Sequence, residues 1–485
     1  MSRPRIVLYN PRAPYFTMPL ALLAVGSAVD RKRYEVVVVD GRTQADPVGR
    51  VVVETADAVC LGVTVLTGTP IRDALLVTRA VRAAHPRCRI LWGGWHPSLF
   101  PVDTLRESGV DAVVIGQGED TFAEIVDRIA AGEPFQGVAG CGAVDEAADR
   151  EASIRGPQRA SLARWGGVSI NPPRPTRDIN AFPAHDYGLI DVNHYFALKG
   201  QRQLDYITSQ GCRFRCTFCA DPTVYGRAWF GLEPGRVGDE LEHLWKRHAF
   251  TDVGFQDETF FTHGGRVAAL AEEIRRRGLR FSWMATMRAD QGARLDEAVL
   301  SACSHAGLRR VMIGIESGSQ NMLDWMKKDI TLPQVFAAAD KCRRHGVAVL
   351  FNLIVGFPDE PAESMTATLD LAKRLRAFGP DFQIALFHYR PYPGTPITED
   401  LARRGHPLPH TLDEWAAIED PGGASPWMDP DKAELIERFG FYQRIGWARP
   451  TRWRAPLQAI ARWRCRGDRY AFPVEKTVVE WLRGA

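Results

Sequence analysis

Short β-branched runs alternate with amphipathic stretches through the first 130 residues. Arg5–Tyr9, Glu35–Val39, Ala58–Val63, Arg89–Trp92 and Asp111–Ile115 are apolar almost without interruption, the pattern of strands buried on both faces of a parallel sheet. Helical periodicity fills the gaps. It is clearest after residue 120, where Phe122, Ile125, Val126 and Ile129 share one face, Thr121 and Glu124 are spaced as a capping box, and Gly132 marks the stop. The pattern predicts a doubly wound, Rossmann-like α/β domain over residues 1–143. Ligands of such sheets bind outside the carboxyl ends of the strands. The informative loops are therefore those from Asn10 to Tyr15, Thr64 to Thr69, Gly93 to Pro97 and Gly116 to Asp120.

A second βα series begins near residue 200. Its candidate strands are Tyr206–Thr208, Asp252–Phe255, Phe281–Ala285, Arg310–Ile315, Val347–Phe351 with Leu353–Val355, and Phe382–Phe387. Six such units predict a partial (β/α)6 TIM-like barrel over 196–400, with chemistry collected at the strand carboxyl ends. Residues 144–195 are rich in proline, arginine and acidic side chains without long periodicity, and read as a linker. A mostly helical region is expected over 401–485.

Composition narrows the class. The chain has 485 residues, 45% of them hydrophobic, enough for several cores, and a net charge of only +3 gives no field favouring nucleic acid. No stretch has the length of a membrane span, and the N-terminal run carries no secretory signal, so a cytoplasmic protein is expected. The nine cysteines are an odd set, mostly scattered, which argues against a disulfide framework. From Tyr442 to Ala485 ten Lys/Arg stand against three Asp/Glu, with Trp447, Trp453, Trp463 and Trp481 interleaved. That composition suits a helical cap on the barrel or a peripheral contact with an anionic membrane.

The chemistry is concentrated in Cys212, Cys216 and Cys219, spaced CxxxCxxC with Phe218 before the last cysteine. Three thiolates on one loop can hold three irons of a [4Fe–4S] cube and leave the fourth open, whereas structural zinc usually takes four ligands in two pairs. A partial zinc knuckle or three buried thiols is the plainer alternative. The motif resembles that of the radical S-adenosylmethionine (SAM) enzymes. The resemblance implies that the three cysteines hold the cluster, that Phe218 meets the adenine through its backbone, and that Glu316 with Ser317 grips the ribose or methionyl part of SAM. It further implies a SAM or substrate contact at Asp257, an apolar adenine contact at Gly356, and a partner for the SAM carboxylate at Arg288. A surface salt bridge is the alternative for Arg288. An electron donor such as a flavodoxin or ferredoxin follows from the same resemblance.

The N-terminal loops resemble the cobalamin-binding domain that precedes the radical SAM core in the class B methylases and in anaerobic magnesium-protoporphyrin monomethyl ester cyclases. This implies corrin contacts at Asn10, Thr64, Thr67, Gly93, Gly94, Gly116, Gly118 and Glu119. The DxHxxG motif that supplies an axial histidine elsewhere is absent, so the base is expected displaced, with no protein histidine on cobalt; His96 is the alternative ligand. The expected function is a cobalamin-dependent radical SAM enzyme that cleaves SAM to a 5′-deoxyadenosyl radical and methylates an unactivated carbon of a small molecule, lipid-like or tetrapyrrole among the options. Oxidative cyclisation or rearrangement is the alternative reaction, and a cluster-bearing sensor the alternative class.

Overall fold

The structure, a computed structural model, describes residues 3–14, 16–106, 109–135, 137–144, 167–418, 428, 430–449 and 455–477. The chain divides into two compact units, Met1–Leu232 with Lys246–Phe250 and Pro391–Asp420, and Glu233–Trp245 with Thr251–Arg390 and Pro421–Ala485.

The first unit begins with β1 (Arg5–Asn10), α1 (Leu20–Ala28), β2 (Glu35–Asp40), α2 (Pro47–Glu54), β3 (Ala58–Thr64), α3 (Thr69–Ala84) and β4 (Arg89–Gly93). It continues through α4 (Trp95–Leu99), α5 (Pro101–Leu105), β5 (Ala112–Val114), α6 (Glu119–Ala131), β6 (Cys141–Val144) and β7 (Val168–Ile170). The strands form one sheet in the order β2-β1-β3-β4-β5-β6-β7. Pairs among β1 to β5 are parallel, and β6 and β7 add antiparallel strands at one edge. The five expected parallel strands are all present; the antiparallel pair was not expected.

The uninterrupted apolar runs are explained by a core on each side. Val7, Tyr9, Leu61, Val63, Ile90 and Trp92 join one cluster, whereas Ile6, Leu8, Cys60, Leu91, Ala112 and Val114 join the other beside Leu22 of α1 and Phe122, Ile125 and Val126 of α6. Successive strand residues point to opposite faces, so both sets must be apolar.

The expected capping box on α6 is a correction. The helix starts at Glu119, three residues before the start a Thr121 cap would give, and its N-cap, Gly118, makes no side-chain cap bond. Tertiary partners take the two residues instead: Thr121 Oγ1 donates to the Ala139 carbonyl at 3.1 Å and accepts from Arg174 Nε at 2.9 Å, while Glu124 pairs with Arg174. Gly132 does end the helix in the left-handed conformation, φ 71°.

Later in this unit come β8 (Gln203–Tyr206), β9 (Ser209–Gly211) and β10 (Trp229–Gly231), the last two paired antiparallel on either side of the cysteine loop. Part of the expected linker, residues 145–166, lies outside the described residues.

The second unit carries β11 (Asp252–Phe255), β12 (Ser282–Arg288), β13 (Leu308–Glu316), β14 (Ala348–Val355) and β15 (Phe382–His388), all parallel, in the spatial order β15-β14-β13-β12-β11. The two apolar runs around Asn352 form one strand. In β14 alternate residues Val349, Phe351, Leu353 and Val355 are wholly buried, and Leu350, Asn352 and Ile354 between them are half-buried. One face of the sheet is thus sealed by helices and the other is partly open, as a partial barrel requires. Helices Pro430–Gly446 and Ala455–Arg466 make the C-terminal region helical.

Candidate active site

In the first unit, the strand ends surround a cavity of about 270 Å³. Asn10, Thr64, Gly93, Gly94, Gly116, Gly118 and Glu119 all line it. The glycines are there because backbone must pass close. Gly94 has φ 94°, and a Cβ on it would sit 2.9 Å from both Thr64 Oγ1 and the Val65 nitrogen. Two of the loops are joined by Ser98, whose Oγ donates to the Gly94 carbonyl at 2.7 Å and accepts from the Gly116 N–H at 3.0 Å. Sequence reasoning missed Ser98, since nothing in its neighbours marks it as a tertiary link. Glu119 is 6% exposed, and burial raises its carboxyl above the ordinary range.

Thr67 and His96 stand apart from this wall. His96 is fully buried, its Nδ1 lies 3.1 Å from Thr67 Oγ1, and its ring packs edge-on against Phe100 and Trp415. Burial lowers its pKa to about 3, so the ring is neutral. The geometry is that of a core histidine bracing the Thr64–Thr69 loop, and it does not bring His96 to the cavity.

The cysteine loop borders the same cavity. Gln210, two residues before Cys212, and Val224 and Tyr225, just beyond Cys219, form part of the wall, and Gln117 Nε2 donates to Gln210 Oε1 at 2.7 Å. Cys212 and Cys216 are buried, Cys219 is half-buried, and none of the nine cysteines is in a disulfide. Burial, then the Asp221 carboxylate, holds the Cys219 thiol well above its ordinary value. Thiols in so dry a loop become thiolates only when bound cations offset their charge, which is what iron supplies. Among the described residues no three such side chains close around a single ion. The donor set fits the cluster, and the strand-end cradle fits a corrinoid.

In the second unit, buried polar side chains gather at strand ends. Asp257, just past β11, is 1% exposed; Arg288 ends β12 at 5% and Glu316 ends β13 at 6%. Glu316 adopts φ 76°, a left-handed conformation that non-glycine residues avoid and functional sites tolerate. Lys328 Nζ meets its Oε1 at 2.6 Å, with both side chains 8% exposed. Arg288 donates through Nε to Asp290 Oδ1 at 2.9 Å and through Nη2 to the Lys328 carbonyl at 2.5 Å, so the ion pair weighed for it exists but is buried. Ser317 accepts from the Ser319 N–H and lies 3.3 Å from Thr368 Oγ1, a loop-bracing arrangement. Gly356, φ 80°, donates its N–H to Glu360 Oε2 at 2.6 Å. Lys328 and Glu360 were missed: Lys327 and Lys328 are indistinguishable by pattern, and Glu360 reads as a helix-start acid. Phe218 is half-buried on the cysteine loop.

In the C-terminal region Trp463 is 53% exposed with Arg469 over its ring, and Trp447 is half-buried; Trp453 and Trp481 lie outside the described residues. No described helix is long and apolar enough to cross a membrane.

A strand-end cradle beside a three-thiol loop, and a parallel βα unit with buried carboxylates at its strand ends, are the parts of an enzyme that works with more than one cofactor. Comparisons with known proteins agree. Residues 7–126 match the B12 binding domain and residues 206–372 the radical SAM superfamily. An uncharacterized methyltransferase of Pyrococcus horikoshii is 31% identical over 79% of this chain and 78% of its own. The anaerobic magnesium-protoporphyrin IX monomethyl ester cyclase of Rubrivivax gelatinosus is 27% identical over 74% of this chain and 60% of its own. A solved structure of the cobalamin-dependent S-adenosylmethionine radical enzyme OxsB shares the fold, with a TM-score of 0.74 at 16% identity over 99% of this chain and 75% of that one. The chain belongs to the radical SAM enzymes with an N-terminal B12-binding domain, whose cofactors are cobalamin, SAM and a [4Fe–4S] cluster.

Proposed function

We propose that this protein is a C-methyltransferase acting on an unactivated carbon of a small molecule. The observation that carries the reading is the shared wall: residues flanking the cysteine loop and the glycine strand ends enclose one cavity. When bound, the cluster and SAM would supply a carbon-centred radical that abstracts a hydrogen atom, and cobalamin would supply the methyl group. The chain's own task is placement and exclusion of water. Cys212, Cys216 and Cys219 would hold the cluster, and the Gly94 and Gly116 backbones would admit the flat ring. Glu316, steadied by Lys328, and Arg288, steadied by Asp290, bind the polar ends of SAM, with Asp257 and the Gly356 turn beside them.

Oxidative cyclisation is the second reading, supported by the similarity to the Rubrivivax cyclase. The test is anaerobic purification from a corrin-supplied host, with iron, corrin and 5′-deoxyadenosine measured on the reduced protein with SAM. About four irons, near-stoichiometric corrin and 5′-deoxyadenosine are expected. Iron and 5′-deoxyadenosine without corrin would sink methyl transfer and leave the cyclase; no 5′-deoxyadenosine would sink both.

A further inference from the structure

The helix Ala455–Arg466 packs one side against the helix Pro430–Gly446 and leaves the other in the open. Gln458, Ala461, Arg464 and Cys465 are buried on the inner side. Arg464 also ties back the chain that follows, donating through Nη1 to the Arg469 and Ala471 carbonyls at 2.8 and 3.0 Å and through Nη2 to the Phe472 carbonyl at 3.1 Å. The outer side repeats the apolar character that a surface helix reserves for its core. Its exposed residues are Ala455, Pro456, Ala459, Ile460, Trp463 and Arg466, which share one face at helical spacing, with no carboxylate among them. Phe472, 85% exposed, and Val474, also exposed, follow in the tied-back segment. Arg469 lies over the Trp463 ring, 4.5 Å from its centroid. The two acidic side chains of that segment already hold cations: Asp468 pairs with Lys373 at 2.7 Å and Glu475 with Arg464 at 2.8 Å.

We propose that this face is a docking surface for an anionic lipid bilayer. A helix that is apolar on both sides is covered on both sides, and a contiguous exposed patch of this kind marks an interface rather than ordinary surface. Charge selects the occupant. A second copy seated by two-fold symmetry would set Arg466 and Arg469 against the same arginines of its partner, a like-charge arrangement that disfavours the pairing. An anionic bilayer answers both halves of the face at once. The Ile460, Trp463 and Phe472 side chains exchange water for the boundary of headgroups and acyl chains, while Arg466 and Arg469 extend their charged ends to lipid phosphates, which guanidinium groups bind bidentately. Each arginine held near an anionic surface strengthens binding by about fivefold. The contact lies on the membrane and does not cross it, since no described helix is long and apolar enough to span one.

The test uses the full-length protein, purified anaerobically, and vesicles of phosphatidylcholine alone or with about one third phosphatidylglycerol, read by co-sedimentation. Binding to the mixed vesicles is expected to exceed binding to phosphatidylcholine by roughly tenfold or more and to weaken as salt is raised. Trp463→Ser with Phe472→Ser removes apolar anchors and no charge, and should weaken binding to the mixed vesicles roughly tenfold. Arg466→Gln with Arg469→Gln should weaken it by about fivefold per charge and leave binding to phosphatidylcholine as it was. All four side chains are exposed, so both variants should keep the native unfolding midpoint and the native yield of 5′-deoxyadenosine, which separates a lost contact from a lost fold. Equal binding to the two compositions, or none to either, overturns the proposal. Salt-sensitive binding that the Trp463 and Phe472 pair leaves unchanged overturns this face as the site. A dimer in gel filtration that the same pair dissolves would mean that a second copy covers the face, and overturns the proposal as well.

Discussion

Two buried groups make the residue scale testable. Burial lowers the pKa of His96 to about 3, whereas in an unfolded chain histidine titrates near 6.5. Below about pH 6.5 the unfolded state therefore binds the extra proton, and stability present at neutral pH is lost as the pH falls towards 3. The slope is roughly 1.4 kcal/mol per pH unit for this one site. Urea unfolding at pH 7 and pH 5.5 should show His96→Gln losing about 1–2 kcal/mol less than the native protein on acidification; equal losses would mean the ring is not held neutral. Lys328→Met removes the cation from a buried carboxylate, a change that costs about 3–5 kcal/mol when the partner stays charged. Adding Glu316→Leu should restore much of the unfolding midpoint, because the pair would then be replaced rather than broken.

At the scale of elements, Ser98 is a seam between two loops. Ser98→Ala leaves the Gly116 N–H and the Gly94 carbonyl without their link, which should cost about 1 kcal/mol in unfolding and speed release of bound cobalamin in a dilution experiment. An unchanged release rate would show that the loops are held by other contacts. The same elements show what was legible in the sequence. β1 to β5 were readable because both faces are buried and every residue had to be apolar. β6 and β7 were not, being four and three residues long and held by edge pairing rather than by a pattern of their own. The strand-end glycines were readable because a motif signals close backbone approach. Ser98, Lys328 and Glu360 were not, because their importance comes from partners brought near by folding. The Thr121–Glu124 capping box failed for a related reason: Arg174 and Ala139, distant in sequence, claimed both side chains.

At the scale of the molecule, the first unit holds thiol loop and cradle together, yet they are separate binding devices. Replacing Cys212, Cys216 and Cys219 together by alanine should abolish iron binding and 5′-deoxyadenosine formation, read by iron analysis and product assay. Corrin binding to the same variant should stay within a few-fold of native, since the cavity wall uses the flanks of the loop rather than its sulfurs. Loss of both cofactors would show that the cluster shapes the wall.

That wall also bears on how the chain can be cut. Its strands and helix starts come from residues 8–122, but Gln210, Val224 and Tyr225 arrive almost ninety residues later. A fragment ending at the apparent domain boundary near residue 143 would keep the sheet and lose one side of the cradle. Chimeras that graft this corrinoid module onto another radical core at that point would separate pieces of a single container. The natural unit of exchange runs through residue 232 and takes in Pro391–Asp420, whose Leu412 and Trp415 join the core of the sheet.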